Sequence, residues 1–163
     1  MKLFSTYLLA AIILASCTSS GKYLQNGQYD QAIAKAKRKI QKKRTKEKEI
    51  LVLEDAYKKA NDRDKERINF LKKEGTPDNW DNIFDIYSWM RQRQEIIKPL
   101  LPLDLPGKGR KANFEILNYD DEIINAKQKA AEYFYVHGAG LLEKGDRENA
   151  RNAYYEFARV KKF

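Results

Sequence analysis

Ala32, Ile33, Ala36 and Ile40 fall on one stripe of a helical wheel, and Lys35, Arg38 and Lys42 fall on the opposite side. Apolar positions at this spacing recur along most of the chain. They predict helices at about 19–26, 28–43, 46–60, 63–73, 77–98, 120–144 and 146–161. Thr76-Pro77 reads as a helix start, with Thr76 as N-cap and Pro77 in the first turn. Asp120, Asp121 and Glu122 gather where a helix dipole favours negative charge. The stretch 99–118 breaks the pattern, because Pro99, Pro102 and Pro106 exclude a continuous helix. Leu101, Leu103 and Leu105 alternate with other residues, as do Ala112, Phe114 and Ile116, with Gly107-Lys108-Gly109 between the two arms. This predicts a short β-hairpin or an extended flap, with an ordered loop lacking ladder bonds as the rival.

A different pattern occupies the N-terminus. After Lys2, Leu3 to Ala15 is apolar except for Ser5 and Thr6. It is short of the roughly 20 residues that a membrane-spanning helix needs, so it reads as a targeting segment outside the fold. It ends in Leu14-Ala15-Ser16-Cys17, which resembles the lipobox of bacterial lipoproteins. The resemblance implies that residues 1–16 are a signal peptide removed before Cys17. It also implies that the Cys17 sulfur carries a diacylglycerol and that the freed amine is usually acylated. Two lipid signals normally suffice for stable anchoring. Thr18, where an acidic residue would favour inner-membrane retention, leans towards an outer-membrane lipoprotein facing the periplasm. Cys17 is the only cysteine, so its lipidation leaves none for an intramolecular disulfide. The rival is an uncleaved anchor with a chance cysteine.

Composition narrows what remains. Ten tyrosines, seven phenylalanines and two tryptophans are too many for a disordered chain. Residues 17–163 are enough for one domain with a core and not for two. The net charge of +9 favours anionic lipid headgroups, lipopolysaccharide phosphates or acidic glycans as partners. Nucleic acid is a poor partner in a periplasmic compartment, and none is expected.

Gly27-Gln28-Tyr29-Asp30-Gln31-Ala32-Ile33 and Gly145-Asp146-Arg147-Glu148-Asn149-Ala150-Arg151 share a frame. It resembles the inter-helix turn of a tetratricopeptide repeat, where glycine ends the first helix and alanine lets the second pack closely. Phe134, Gly138 and Leu141 match the bulky, small and bulky positions of that family's first helix, and Tyr154 and Phe157 follow in the second. Arg63 lies one 34-residue period after Tyr29. Ile50, Leu53 and Tyr57 take the slots before it and Phe70 an aromatic slot after it, although Glu66 stands where alanine is expected. Trp80, Ile83 and Tyr87 match first-helix spacing again. The resemblance implies an all-α, tetratricopeptide-like solenoid over residues 17–163 with a short insert at about 99–118. An ordinary helical bundle is the rival. A solenoid usually covers its terminal face with a polar helix, and none follows Phe163. The stripe Ala150, Tyr154 and Phe157 is therefore expected to be open. Either the chain is the N-terminal part of a longer protein, or the stripe is a docking site for a partner or a second copy.

Candidate chemistry is sparse. The only histidine, His137, falls on a packing slot of the repeat, and no second histidine or available thiol can complete a usual metal site or nucleophilic triad. Asp120, Asp121 and Glu122 are explained by the helix dipole. Gly107-Lys108-Gly109-Arg110-Lys111 lacks the Gly-Lys-Ser/Thr ending of a phosphate loop. No enzyme activity, cofactor or metal is expected. The strongest charge feature, Lys35 to Lys48, makes Lys35, Arg38, Lys39 and Lys42 candidates for contact with an anionic surface, against a merely solvated face. Trp89, Tyr154 and Phe157 are candidates for partner binding, and Asn79, Asn82, Asn149 and Asn152 for hydrogen bonds in a groove. The expected function is a non-enzymatic protein-interaction scaffold or assembly module anchored at the outer membrane. A glycan- or peptidoglycan-binding lipoprotein is the alternative.

Overall fold

The computed structural model describes residues 19–163, so the lipobox-like Leu14, Ala15, Ser16 and Cys17 lie outside the described residues. Six α-helices make up most of the described chain: α1 Ser20–Gln25, α2 Tyr29–Lys42, α3 Glu47–Glu74, α4 Asn79–Ile97, α5 Asp120–Leu142 and α6 Arg147–Val160. The protein is all-α apart from a two-stranded antiparallel hairpin, β1 Asp104–Leu105 and β2 Arg110–Lys111, with Asp104 opposite Lys111 and Leu105 opposite Arg110. The chain divides into two compact units. One comprises the described part of Met1–Ala60 with Pro102–Phe114, and the other comprises Asn61–Leu101 with Glu115–Phe163.

In the first unit, α1 begins on Ser19, whose side chain accepts from the Lys22 backbone N–H at 3.1 Å. Gly27, at φ 73°, takes the left-handed conformation that ends α1 and lets the chain reverse into α2. The α2 stripe Ala32, Ile33, Ala36 and Ile40 is buried as the wheel expects. It shares the unit's core with Ile50, Leu53, Ala56 and Tyr57 from α3 and with Leu103 and Leu105 from the hairpin. Phe114 meets the Tyr57 ring edge-on at 5.4 Å. The hairpin is much shorter than the alternation at 99–118 suggested. Only Leu103 and Leu105 are buried on its first arm, one further bond runs from the Ala112 N–H to the Leu103 carbonyl, and Ile116 is exposed. The proline at 106 opens a 3-10 turn through Lys108, and this stops the ladder after two residues per strand.

In the second unit, Ile68 and Leu71 of α3 pack with Ile83 and Met90 of α4, with Tyr119, and with Ile123 and Ala126 of α5 in one core. Asp146 caps α6 by accepting from the Asn149 N–H at 2.9 Å, and Gly145, at φ 73°, makes the reversal between α5 and α6. The α5–α6 approach is close at Gly138. A Cβ built there would lie 2.9 Å from the Phe157 ring, so only glycine leaves room for that ring.

Four expectations are corrected here. The predicted break near residues 60–63 is absent, because α3 runs unbroken through Arg63, where the 34-residue period requires a turn. No glycine or proline interrupts 60–65, and Asn61 and Asp64 turn one face inward to Arg93 instead of forming a loop. Phe70, expected in an aromatic slot, is exposed with the Arg67 guanidinium 5.3 Å over its ring. Thr76 does not cap α4. Its carbonyl accepts from the Asn79 N–H, and α4 starts at Asn79, whose side chain donates back to the Leu71 carbonyl at 3.3 Å and to Glu74 at 2.8 Å. Asn79 therefore joins the two helices and is no groove residue.

Candidate interaction surfaces

The basic ridge of the first unit is placed by α2. Arg38 and Lys42 are exposed and Lys35 is half-buried, on the side of α2 away from its apolar stripe. Lys39 departs from the expected set. Its ammonium donates to the Glu49 carboxylate at 2.7 Å and to the Ser20 hydroxyl at 3.3 Å, and Ser20 itself donates to Glu49. Burial alone would raise the Glu49 pKa, but the hydrogen bonds from Lys39 and Ser20 outweigh it and hold the carboxyl below its ordinary value. At 3.6 residues per turn, Lys39 sits about 20° from Ala32 on the wheel, beside the buried stripe. That position was the available signal that it faces inward. The Lys39–Ser20–Glu49 cluster ties the start of α1 to α2 and α3.

The basic turn of the hairpin is answered by carboxylates from α3. Glu54 accepts both Arg110 guanidinium nitrogens, at 2.7 and 2.8 Å, together with the Asn113 N–H at 2.6 Å. The Arg110 bonds chiefly hold the Glu54 carboxyl below its ordinary pKa. Glu47 accepts the Gly107 N–H at 2.8 Å. The glycine-rich turn is thus fastened within its own unit.

In the second unit, α5 and α6 carry an open aromatic face. Tyr154 is 69% exposed, Ala150 and Tyr155 are exposed beside it, and Phe157 is half-buried with the Tyr135 ring 5.8 Å away. Tyr135, Val136 and Leu142 extend exposed apolar surface along α5. Tyr135 belongs to the aromatic set from which a binding face is expected, whereas Val136 and Leu142 carry no such expectation, although the seven-residue spacing of Tyr135 and Leu142 places those two on one line of the helix. The close alanine contact of α6 is made by buried Ala153, not by Ala150 as the repeat frame implies. Asn149 bonds to Asp146.

Trp89 stands apart from that face. It is 64% exposed in a shallow, open depression with Asp85, Ser88, Arg91, Gln92 and Glu95. His137, expected in a packing slot, is instead exposed. It stacks on Tyr133 with ring centroids 5.7 Å apart, and its Nδ1 is 3.3 Å from a Glu156 oxygen. Phe134 fills the packing role. It is fully buried, stacked against Phe163 and covered by the Arg159 guanidinium at 3.7 Å. Among the described residues, no group of His, Cys, Asp and Glu has the arrangement of a metal site, and no helix is long and apolar enough to cross a membrane.

The C-terminal residues are pinned to α4. Asp81 accepts from Arg159 at 3.0 Å and from Lys162 at 2.5 Å, and Lys162 also reaches Asp85 at 2.8 Å. Burial would raise the Asp81 pKa, but the bonds from Lys162 and Arg159 prevail and hold it below 3.8. A carboxyl depressed in the folded state contributes stability that is full above its unfolded pKa and is lost as pH falls through its folded pKa. Asp81→Asn is therefore expected to be less stable than wild type at pH 6, with the gap closing below pH 3.8. Thermal unfolding at a series of pH values checks this, and a gap that stays constant down to pH 2 would refute an electrostatic contribution. No known protein family matches the chain, and no curated protein or solved structure matches it either.

Proposed function

We propose that the protein is an outer-membrane-anchored lipoprotein, facing the periplasm through lipidated Cys17, that acts as a non-enzymatic protein-interaction scaffold with tetratricopeptide-like helix pairs. The observation that carries the scaffold reading is the open face of the α5–α6 pair, where Tyr154 and its exposed neighbours present apolar rings that the described chain does not cover. Contiguous exposed apolar surface on a soluble unit marks an interaction site. The helix-pair reading is supported by the left-handed glycines Gly27 and Gly145 at equivalent turns, and by Gly138 receiving the Phe157 ring. It extends to the α1–α2 and α5–α6 pairs and not to α3.

Crosslinking in intact membranes, with photoreactive groups at Tyr154 and Tyr135 and the products read by mass spectrometry, tests the function. A defined protein partner is expected, and Tyr154→Ser with Tyr135→Ser should abolish its capture without lowering the thermal midpoint by more than about 2 °C. Surface substitutions of this kind cost within about 0.5 kcal/mol. Crosslinks spread equally over control sites on α3 would defeat the reading. The glycan-binding alternative draws on Trp89, an exposed ring with a polar rim. It predicts a change in tryptophan fluorescence on adding peptidoglycan fragments that Trp89→Ala removes.

A further inference from the structure

The charge of this protein is divided between its two units. The described residues of the first unit carry fifteen Lys and Arg against six Asp and Glu, a net of +9. The second unit carries sixteen against seventeen, a net of −1. Four of the six carboxylates in the first unit already serve its own structure. Glu49 takes Lys39, Glu54 takes Arg110, Asp55 takes Lys59 and Glu47 takes the Gly107 N–H. Lys35, Arg38 and Lys42 lie within one narrow sector of α2, and Lys43, Lys46 and Lys48 follow in the exposed turn and at the start of α3. Little counter-charge is left in the unit for this group.

We propose that this surface of the first unit rests on the anionic headgroups of a bilayer, with Lys35, Arg38 and Lys42 as the contacting sector. The proposal deepens the lipoprotein reading and rests on it for placement. Ser20 follows Cys17 by three residues, which span at most about 11 Å even when extended. The Ser20 hydroxyl is 3.3 Å from the Lys39 ammonium, so the middle of α2 is held at the point where the chain leaves the anchor. Arg38 and Lys42 lie within a turn of Lys39. That reach of about 11 Å is comparable with the screening length of about 8 Å at physiological salt, so basic groups beside Ser20 lie near enough for a negatively charged surface to act on them. Each then adds to the attachment. Anchor and ridge together form the two-signal arrangement that gives stable membrane association, an acyl group plus a basic patch.

The test compares flotation of the full chain with vesicles of phosphatidylcholine alone and with vesicles containing about one third phosphatidylglycerol, at low and high salt. The readout is the ratio of anionic to neutral partitioning. Acyl or apolar attachment contributes to both vesicle types and cancels. A ratio of about tenfold or more at low salt, collapsing towards one at high salt, is expected. Lys35→Glu, Arg38→Glu and Lys42→Glu together should bring the low-salt ratio close to one while the helical circular dichroism and thermal midpoint stay as in wild type. Reversal of Lys127, Lys129 and Lys144 in the second unit should leave the ratio unchanged. A wild-type ratio near one overturns the proposal, and so does an equal loss in the second-unit variant. Steep, salt-sensitive binding of dextran sulfate without vesicle preference would overturn it in favour of a glycan polyanion. Failure of the anchor reading looks different: the chain lacks acyl mass and floats poorly with neutral vesicles, while the ratio stays high.

Discussion

Replacing Arg93 with Met is expected to lower the unfolding free energy by about 3–5 kcal/mol. Arg93 is only 4% exposed. Its guanidinium donates to the Asn61 side-chain oxygen at 2.6 Å and to the Asp64 carboxylate at 2.8 Å. Asn61 and Asp64 are themselves buried, one turn apart on α3. Met retains much of the volume of the side chain and supplies no donor, so a buried carboxylate and a buried amide lose their shared partner. Asp64 keeps Arg63, at 2.9 Å, but that side chain is half exposed and its pull is screened by solvent. Removing one member of a buried charged pair costs far more than the pair contributes net, because the other member stays desolvated. Arg93→Lys should recover only part of the loss, since an ammonium cannot supply the planar fork that reaches both partners. Arg93→Met combined with Asp64→Leu should recover most of it. Both tryptophans lie in the second unit, so urea unfolding followed by their fluorescence reads the unit that holds Arg93. A loss under about 1 kcal/mol would mean that Arg63 and water suffice for Asp64.

The largest effect on location is expected from Cys17→Ser. Under the proposed lipoprotein reading, a hydroxyl would not take the place of the thiol that receives the diacylglycerol, and the lipoprotein peptidase would act only on the lipidated precursor. The variant chain should therefore retain residues 1–16 or leave the membrane fraction. Each acyl methylene buried in a bilayer contributes about 0.8 kcal/mol. Loss of the proposed lipid would remove many such terms at once, more than a sector of three basic residues at about 1 kcal/mol each would restore. Intact mass spectrometry and fractionation check this. Wild-type protein should lack residues 1–16 and carry acyl mass on Cys17. An unmodified chain beginning at Met1 in the mature wild type would contradict it. This prediction comes from Leu14-Ala15-Ser16-Cys17 alone, outside the described residues.

The two predictions differ in how far the sequence reveals them. The lipobox-like motif is local, and the reading it carries does not depend on what the rest of the chain packs against. Arg93 shows the opposite case. In the sequence it is one cation among 32, and nothing in the spacing of its helix singles it out. Of the residues it binds, Asn61 lies where a helix break was expected and Asp64 just beyond it. The run 61–65 is polar throughout, and in the folded chain the buried Arg93 guanidinium of α4 takes up its Asn61 and Asp64. The same long-range cause turns Lys39 inward to Ser20 and Glu49, and fastens the basic hairpin turn to Glu47 and Glu54.

The sequence by itself determined the helical class, the apolar stripe of α2, the reversals at Gly27 and Gly145, the break caused by the prolines of 99–118 and the exposure of Tyr154 and Trp89. All of these follow from periodicity, φ requirements and backbone donors, which act over a few residues. The tertiary structure alone decided that α3 is one helix, that Phe70 and His137 face outward, that Ala153 and not Ala150 makes the close contact in α6, and that the net charge resides in one unit. Each of these depends on which side chain from a distant segment arrives at a given face. Burial of a charge or ring is a property of the pair that meets, and the spacing within either segment does not specify its partner.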